Sequence, residues 1–225
     1  MKHYENRLLF GKESDKLKSL SMNTMKAKGV MTMKFTKVAM IAFTPVLVTR
    51  KTGKSVKDRL AAILQETKES EVLILDFKNV QILDFSCADE CIAKLLVEIC
   101  GDFFGSKAFL LSNLSEDQIE NVSAALSQRN LVTCYLNENK IRILGELKEP
   151  LLSTLDVLNQ NKTITAREIA DSMAIAINTA SNRLSELAKR RLTLRMNDMP
   201  AAGGKQYIYC SIIPDLLEFE NKNNK

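Results

Sequence analysis

The run Thr165-Ala-Arg-Glu-Ile-Ala-Asp-Ser-Met-Ala-Ile-Ala-Ile-Asn-Thr-Ala-Ser-Asn-Arg-Leu-Ser-Glu-Leu-Ala-Lys189 divides into two short helices joined by a tight turn. Thr165 with Glu168 three residues on forms a capping-box pattern, in which each side chain bonds the backbone N–H of the other. Ile169, Ala170 and Met173 then give the first helix an apolar face. Asn178 is the expected N-cap of the second helix. Ala180, Leu184, Leu187 and Ala188 recur there at helical spacing, so that helix is amphipathic. Its opposite face carries Thr179, Asn182, Arg183, Glu186, Lys189 and Arg190, side chains able to reach base edges and phosphates from a major groove.

Downstream, Leu192–Asn197 and Gln206–Ile212 alternate apolar and polar residues around the turn signal Met199-Pro-Ala-Ala-Gly-Gly. Such a hairpin, with Arg195 and Lys205 beside its tip, suits contact with a phosphate backbone. Together with Thr179-Ala-Ser-Asn-Arg-Leu, the segment resembles the winged helix-turn-helix DNA-binding modules of bacterial regulators. The resemblance covers about a quarter of the chain. It implies double-stranded DNA as partner, base reading by Thr179, Asn182 and Arg183, and phosphate contacts by Lys189, Arg190, Arg191, Arg195 and Lys205. The same fold also serves as a protein-docking module or a spacer, because fold alone does not fix function.

Residues 34–148 alternate strand-like and helix-like patterns, which predicts an α/β domain with a mainly mixed sheet. Val72-Leu-Ile-Leu-Asp-Phe is a near-continuous apolar run, as expected of a strand buried on both faces. Gly53 interrupts the preceding pattern, and Ser55 is the expected cap of a helix reaching Gln65. Ser86 is expected to cap a helix to about Cys100, and Ser115 with Gln118 to cap another to about Arg129. Leu131–Leu136 and Lys140–Leu144 flank Asn137-Glu-Asn and read as a hairpin. Asp76 and Asp84, at strand ends, read as loop caps.

The stretch Val72-Leu-Ile-Leu-Asp-Phe-Lys-Asn-Val-Gln-Ile-Leu-Asp-Phe-Ser-Cys-Ala-Asp-Glu resembles the signature of STAS domains, the fold of bacterial anti-sigma-factor antagonists. Ala88-Asp89-Glu90, with Thr49-Arg-Lys-Thr-Gly-Lys upstream, is nearer to a STAS-like subfamily marked by Phe-Ala-Asp-Glu. This resemblance spans roughly residues 34–145. It implies a partner of the GHKL ATPase or kinase type and makes Ser86 the candidate phosphoacceptor, where a phosphate would meet a helix N-terminus. Phe85 and Cys87 depart from the antagonists' Ser and Gly. Read from the residues alone, Ser86 is an N-cap bonding the N–H of Asp89.

Composition sets the remaining bounds. The chain has 225 residues, 45% hydrophobic and 26% charged, with net charge +5. Residues 1–60 hold fourteen Lys/Arg against four Asp/Glu, residues 61–150 eight against fifteen, and residues 151–225 ten against eight. The acidic middle argues against DNA contact there. Residues 1–33 read as a basic, disordered tail and residues 214–225 as a C-terminal tail. The winged module is expected over 149–213, with the junction near Gly145–Pro150 and Pro150 opening its first helix.

The five cysteines lie in apolar segments without disulfide spacing, and no apolar run is long enough to span a membrane, which suggests a cytoplasmic protein. The lone His3, the absence of a nucleotide loop and the lack of a nucleophile–base pair argue against an enzyme, a metal centre or a cofactor. A DNA-binding transcriptional regulator is the leading expectation, as a homodimer if its target is palindromic. The alternative is a partner-switching antagonist that does not touch DNA.

Overall fold

The computed structural model describes residues 33–137, 140–198 and 206–214. Five strands form the main sheet: β1 (Lys34–Ala39), β3 (Glu71–Asp76), β5 (Ala108–Ser112), β6 (Val132–Asn137) and β7 (Lys140–Gly145). They lie in that spatial order, parallel except for β7, which pairs antiparallel to β6 with Val132 opposite Gly145. The β6–β7 hairpin is the one expected from the sequence. A two-stranded parallel pair, β2 (Val46–Leu47) and β4 (Ile82–Leu83), stands apart.

Three helices cover one face of the main sheet: α1 (Arg50–Glu66), a composite α2, and α3 (Glu116–Ser127). Helix α2 runs as α-helix over Phe85–Ala88, widens into a π turn over Asp89–Ala93, and returns to α-helix over Lys94–Cys100. Leu73, Leu75, Phe109, Leu111 and Tyr135 point into this layer and meet Leu60, Leu64, Cys91, Leu95 and Val122. The alternate residues, Phe35, Val72, Ile74, Ala108, Leu110, Val132 and Cys134, point the other way. This alternation explains why every residue of β3 is buried.

The second face of the sheet is covered by the C-terminal part of the chain. Leu155, Leu187, Leu192, Leu194, Met196, Cys210, Ile212 and Ile213 share one core with it. These residues come from α4 (Glu149–Asn161), α6 (Ile177–Lys189), β9 (Thr193–Asp198), β10 (Gln206–Ser211) and the turns beside them. Strand β8 (Thr163–Thr165) and helix α5 (Ala166–Met173) complete this part. Its sheet is antiparallel in the order β8-β10-β9, with Ile208 opposite Thr165 on one side and Met196 on the other. Leu158, Ile164, Ile169, Ala180, Leu184 and Tyr209 form a smaller core inside it.

Several local expectations need correction. Helix α1 starts five residues before Ser55, at Arg50, capped by the Thr49 side chain, which accepts the Thr52 N–H. Gly53 lies inside α1 and does not end a pattern. A Cβ there would come within 2.7 Å of Glu90 Cβ and 2.9 Å of the Cys87 carbonyl oxygen, so glycine lets α1 and α2 approach. The cap of α2 is Asp84 rather than Ser86: its carboxylate accepts the Cys87 N–H at 2.7 Å, and Ser86 sits in the first turn, half-buried. A carboxylate there also complements the positive end of the helix dipole. Helix α6 begins at Ile177 after Ala176 with no side-chain cap, so Asn178 is within the helix. Met33, assigned to the tail by composition, is buried against the sheet. The expectations for residues 1–32, for the hairpin tip at 199–205 including Lys205, and for 215–225 lie outside the described residues.

Candidate nucleic-acid interface

The turn between α5 and α6 fixes the candidate reading helix. The Thr165–Glu168 capping box starts α5, with the Thr165 N–H donating to Glu168 Oε2 at 2.7 Å. Ala174 ends α5 in a left-handed conformation at φ 52°, its N–H bonding the Ala170 carbonyl, and the Ile175 N–H reaches the same oxygen at 3.0 Å. Two bonds to one carbonyl close the turn and direct the chain into α6 within three residues.

Helix α6 then presents two faces. Ala180, Leu184 and Leu187 are fully buried, which leaves Thr179, Asn182 and Lys189 exposed and Arg183, Glu186 and Arg190 half-buried on the opposite side. At about 100° per residue these six side chains fall on one stripe. The structure therefore brings together Thr179, Asn182, Arg183, Lys189 and Arg190. Within that stripe the Arg190 Nε donates to Glu186 Oε1 at 2.8 Å, an i,i+4 pair that orients the guanidinium along the helix. Arg195, exposed on β9, lies with its guanidinium 4.5 Å above the centre of the Tyr207 ring on β10.

Arg191 does not belong to this surface. It adopts φ 58° in the turn after α6 and is 9% exposed. Its Nε donates to the Ile99 carbonyl at 3.0 Å, and Nη2 pairs with Asp102. The charge caps the C-terminal end of α2 and locks the two parts of the chain together. A guanidinium held in this way is turned into the fold and does not join the stripe on α6 with the other expected phosphate contacts.

A second polar cluster surrounds Ser86 at the other end of α2. The Thr49 N–H donates to Asp84 Oδ2 at 3.2 Å, so the stretches Thr49–Gly53 and Asp84–Glu90, noted separately in the sequence, meet in space. Asp89 is buried in the π turn and bound by Arg129 through Nε at 2.7 Å and Nη2 at 3.2 Å, and by Arg50 at 3.0 Å. The Arg129 bonds, with help from Arg50 and against the cost of burial, hold the Asp89 carboxyl below its usual range. Glu90 pairs with Lys94 at 2.5 Å and lies 3.7 Å from Arg50. Arg129 carries no motif in the sequence; only the fold brings it to Asp89. Asp76 serves as a loop cap as expected, accepting the Lys78 N–H at 3.0 Å and an Asn113 amide N–H at 2.6 Å.

Cys87, Cys91, Cys134 and Cys210 are buried, and burial pushes the Cys134 thiol up to about 12 and the Cys210 thiol up to about 11, as befits small apolar fillers. No described helix is long and apolar enough to cross a membrane. Compared with protein-family models and with curated proteins, the chain gives no match.

Proposed function

We propose that this protein is a DNA-binding transcriptional regulator, in which a winged helix formed by α4 to β10 binds a duplex and a STAS-like domain formed by β1 to β7 receives a signal from a protein partner. The observation that carries the reading is the polar stripe on α6, held outward by a packed apolar face and by the tight turn after α5. Thr179, Asn182 and Arg183 lie toward the N-terminal end of α6, the end that enters a major groove in helix-turn-helix proteins. Asn and Arg are the side chains best suited to bidentate bonds with adenine and guanine edges. Lys189 and Arg190 extend the stripe toward the flanking phosphates. On the STAS-like side, Ser86 is the phosphoacceptor and a GHKL-type ATPase the partner, as the family likeness implies. A phosphate there would compete with the Asp84 carboxylate for the first N–H groups of α2.

The test is fluorescence anisotropy with mixed genomic fragments over a salt series, comparing the native chain with an Asn182→Ala, Arg183→Ala double variant. The expected result is a steep salt dependence for both proteins, with fragment selection by the native chain alone. Equal, unselective binding by both would overturn the reading and favour the partner-switching antagonist.

A further inference from the structure

A cavity of about 410 Å³ opens between the end of α2 and the C-terminal half of α6, and its lining includes Asp102, Ser106, Ser185, Lys189, Arg191 and Arg195. Three of these side chains are cations and one is an anion. Arg191 and Asp102 neutralise one another. Among the described residues Lys189 has no ion-pair or hydrogen-bond partner, and the Arg195 guanidinium has no ion pair and stacks on the Tyr207 ring. Among the described residues, two positive charges without an ion-pair partner therefore face a concave space at the seam between the two parts of the chain, with the Glu69 carboxylate, which accepts the Ser106 N–H at 2.8 Å, at its rim. The Ser106 and Ser185 hydroxyls supply further donors, with Ser185 placed 3.3 Å from the Tyr209 hydroxyl. The volume falls at the small end of ligand sites, which run from about 300 to 1,000 Å³.

We infer that this cavity is a binding site for a small phosphorylated metabolite, held by Lys189 and Arg195 with the Ser106 and Ser185 hydroxyls. Stacking on Tyr207 fixes the Arg195 guanidinium in advance, which lowers the ordering cost of gripping an anion. A duplex is a poorer occupant. Asp102, 79% exposed, lines the same groove, and Phe103, 80% exposed, follows it in the chain. An exposed carboxylate in the lining and an exposed apolar ring next to it in the chain both disfavour a continuous phosphate backbone, whereas a compact anion needs only the cations and hydroxyls of the cavity. The ligand would bridge α2 to α6 and withdraw Lys189 from the stripe that faces DNA, so DNA affinity would fall as it binds. That consequence rests on the regulator reading; the binding itself is measured without DNA.

The experiment is isothermal titration calorimetry of the full chain with pyrophosphate and with inorganic phosphate at constant ionic strength. Pyrophosphate should saturate one site and bind more tightly than phosphate. Lys189→Gln and Arg195→Gln should each weaken it by more than about tenfold, the loss expected for a charge-assisted contact. Arg195→Lys, which keeps the charge, should retain more affinity than Arg195→Gln and thereby show that the site survives substitution. The Asn182→Ala, Arg183→Ala variant should bind pyrophosphate like the native chain even if DNA reading proves absent. No saturable binding, or equal affinity in the native chain and the Lys189 and Arg195 variants, would overturn the site. Pyrophosphate binding lost only in the Asn182, Arg183 variant would overturn it too, by placing the anion on the DNA-facing stripe.

Discussion

Arg191 and Asp89 show how single side chains divide the work of this fold. Arg191 looks like its neighbour Arg190 in the sequence, yet one is buried against a carbonyl 92 positions away and the other lies along the surface of α6. Arg191→Ala should lower stability by about 1–3 kcal/mol, the cost of a lost charged hydrogen bond with its acceptor left buried. Chemical denaturation reads that loss, while the slope of DNA affinity against salt should not change. A shallower slope would mean that Arg191 meets phosphate after all. Asp89 gives a pH signature. Its carboxyl is held below the ordinary value of 3.8 in the folded chain, so its contribution is complete above that value and is lost as pH falls through the lower folded value. Arg129→Ala should therefore be less stable than the native chain near about pH 6, with the gap narrowing in acid below about pH 4. A gap independent of pH, followed by denaturation midpoints, would contradict the pairing.

At the scale of elements, local patterns were the most legible part of the sequence. The two capping boxes, Ser115–Gln118 and Thr165–Glu168, form as their spacing predicts, because both partners lie within one helical turn. The ends of α1 and α2 were less legible. Thr49, Ser55, Asp84 and Ser86 are all competent caps, and the choice among them is made by packing between the two helices. Gly53 is the clearest instance: it reads as a breaker in one dimension and is a contact point in three. Gly53→Ala should cost about 1–3 kcal/mol through overpacking against the Cys87 carbonyl and Glu90, measured as a lowered denaturation midpoint with little change in helix content. A neutral substitution would show that α1 and α2 can separate freely. The π turn had no sequence signal, and Arg50 and Asp89, though both within quoted motifs, gave no sign of pairing with one another or with Arg129, since the partners are 39 and 40 positions apart.

Across the whole molecule, the apolar run in β3 announced a strand covered on both sides, and the structure shows what does the covering. Helices α1 to α3 pack on one face and the C-terminal part on the other, so that part serves as a structural layer as well as the carrier of the candidate DNA surface. This role was not legible, because nothing in the apolar face of α6 or of the β9–β10 hairpin names its partner. A chain ended at residue 148 should expose Phe35, Val72, Ile74, Leu110 and Val132 and be recovered mainly as aggregate. A monomeric, folded product would show the shared core to be dispensable. The same layering leaves Thr179, Asn182 and Arg183 outward on a helix whose other face is anchored in a core, the rigid base that the proposed DNA reading requires. The most direct test of that claim is selection from a pool of random duplexes by the native chain and by Asn182→Ala and Arg183→Ala separately. The native chain should enrich a defined motif, and each variant should lose preference at its own base position. Enrichment of the same motif by all three, or of none by the native chain, would contradict it.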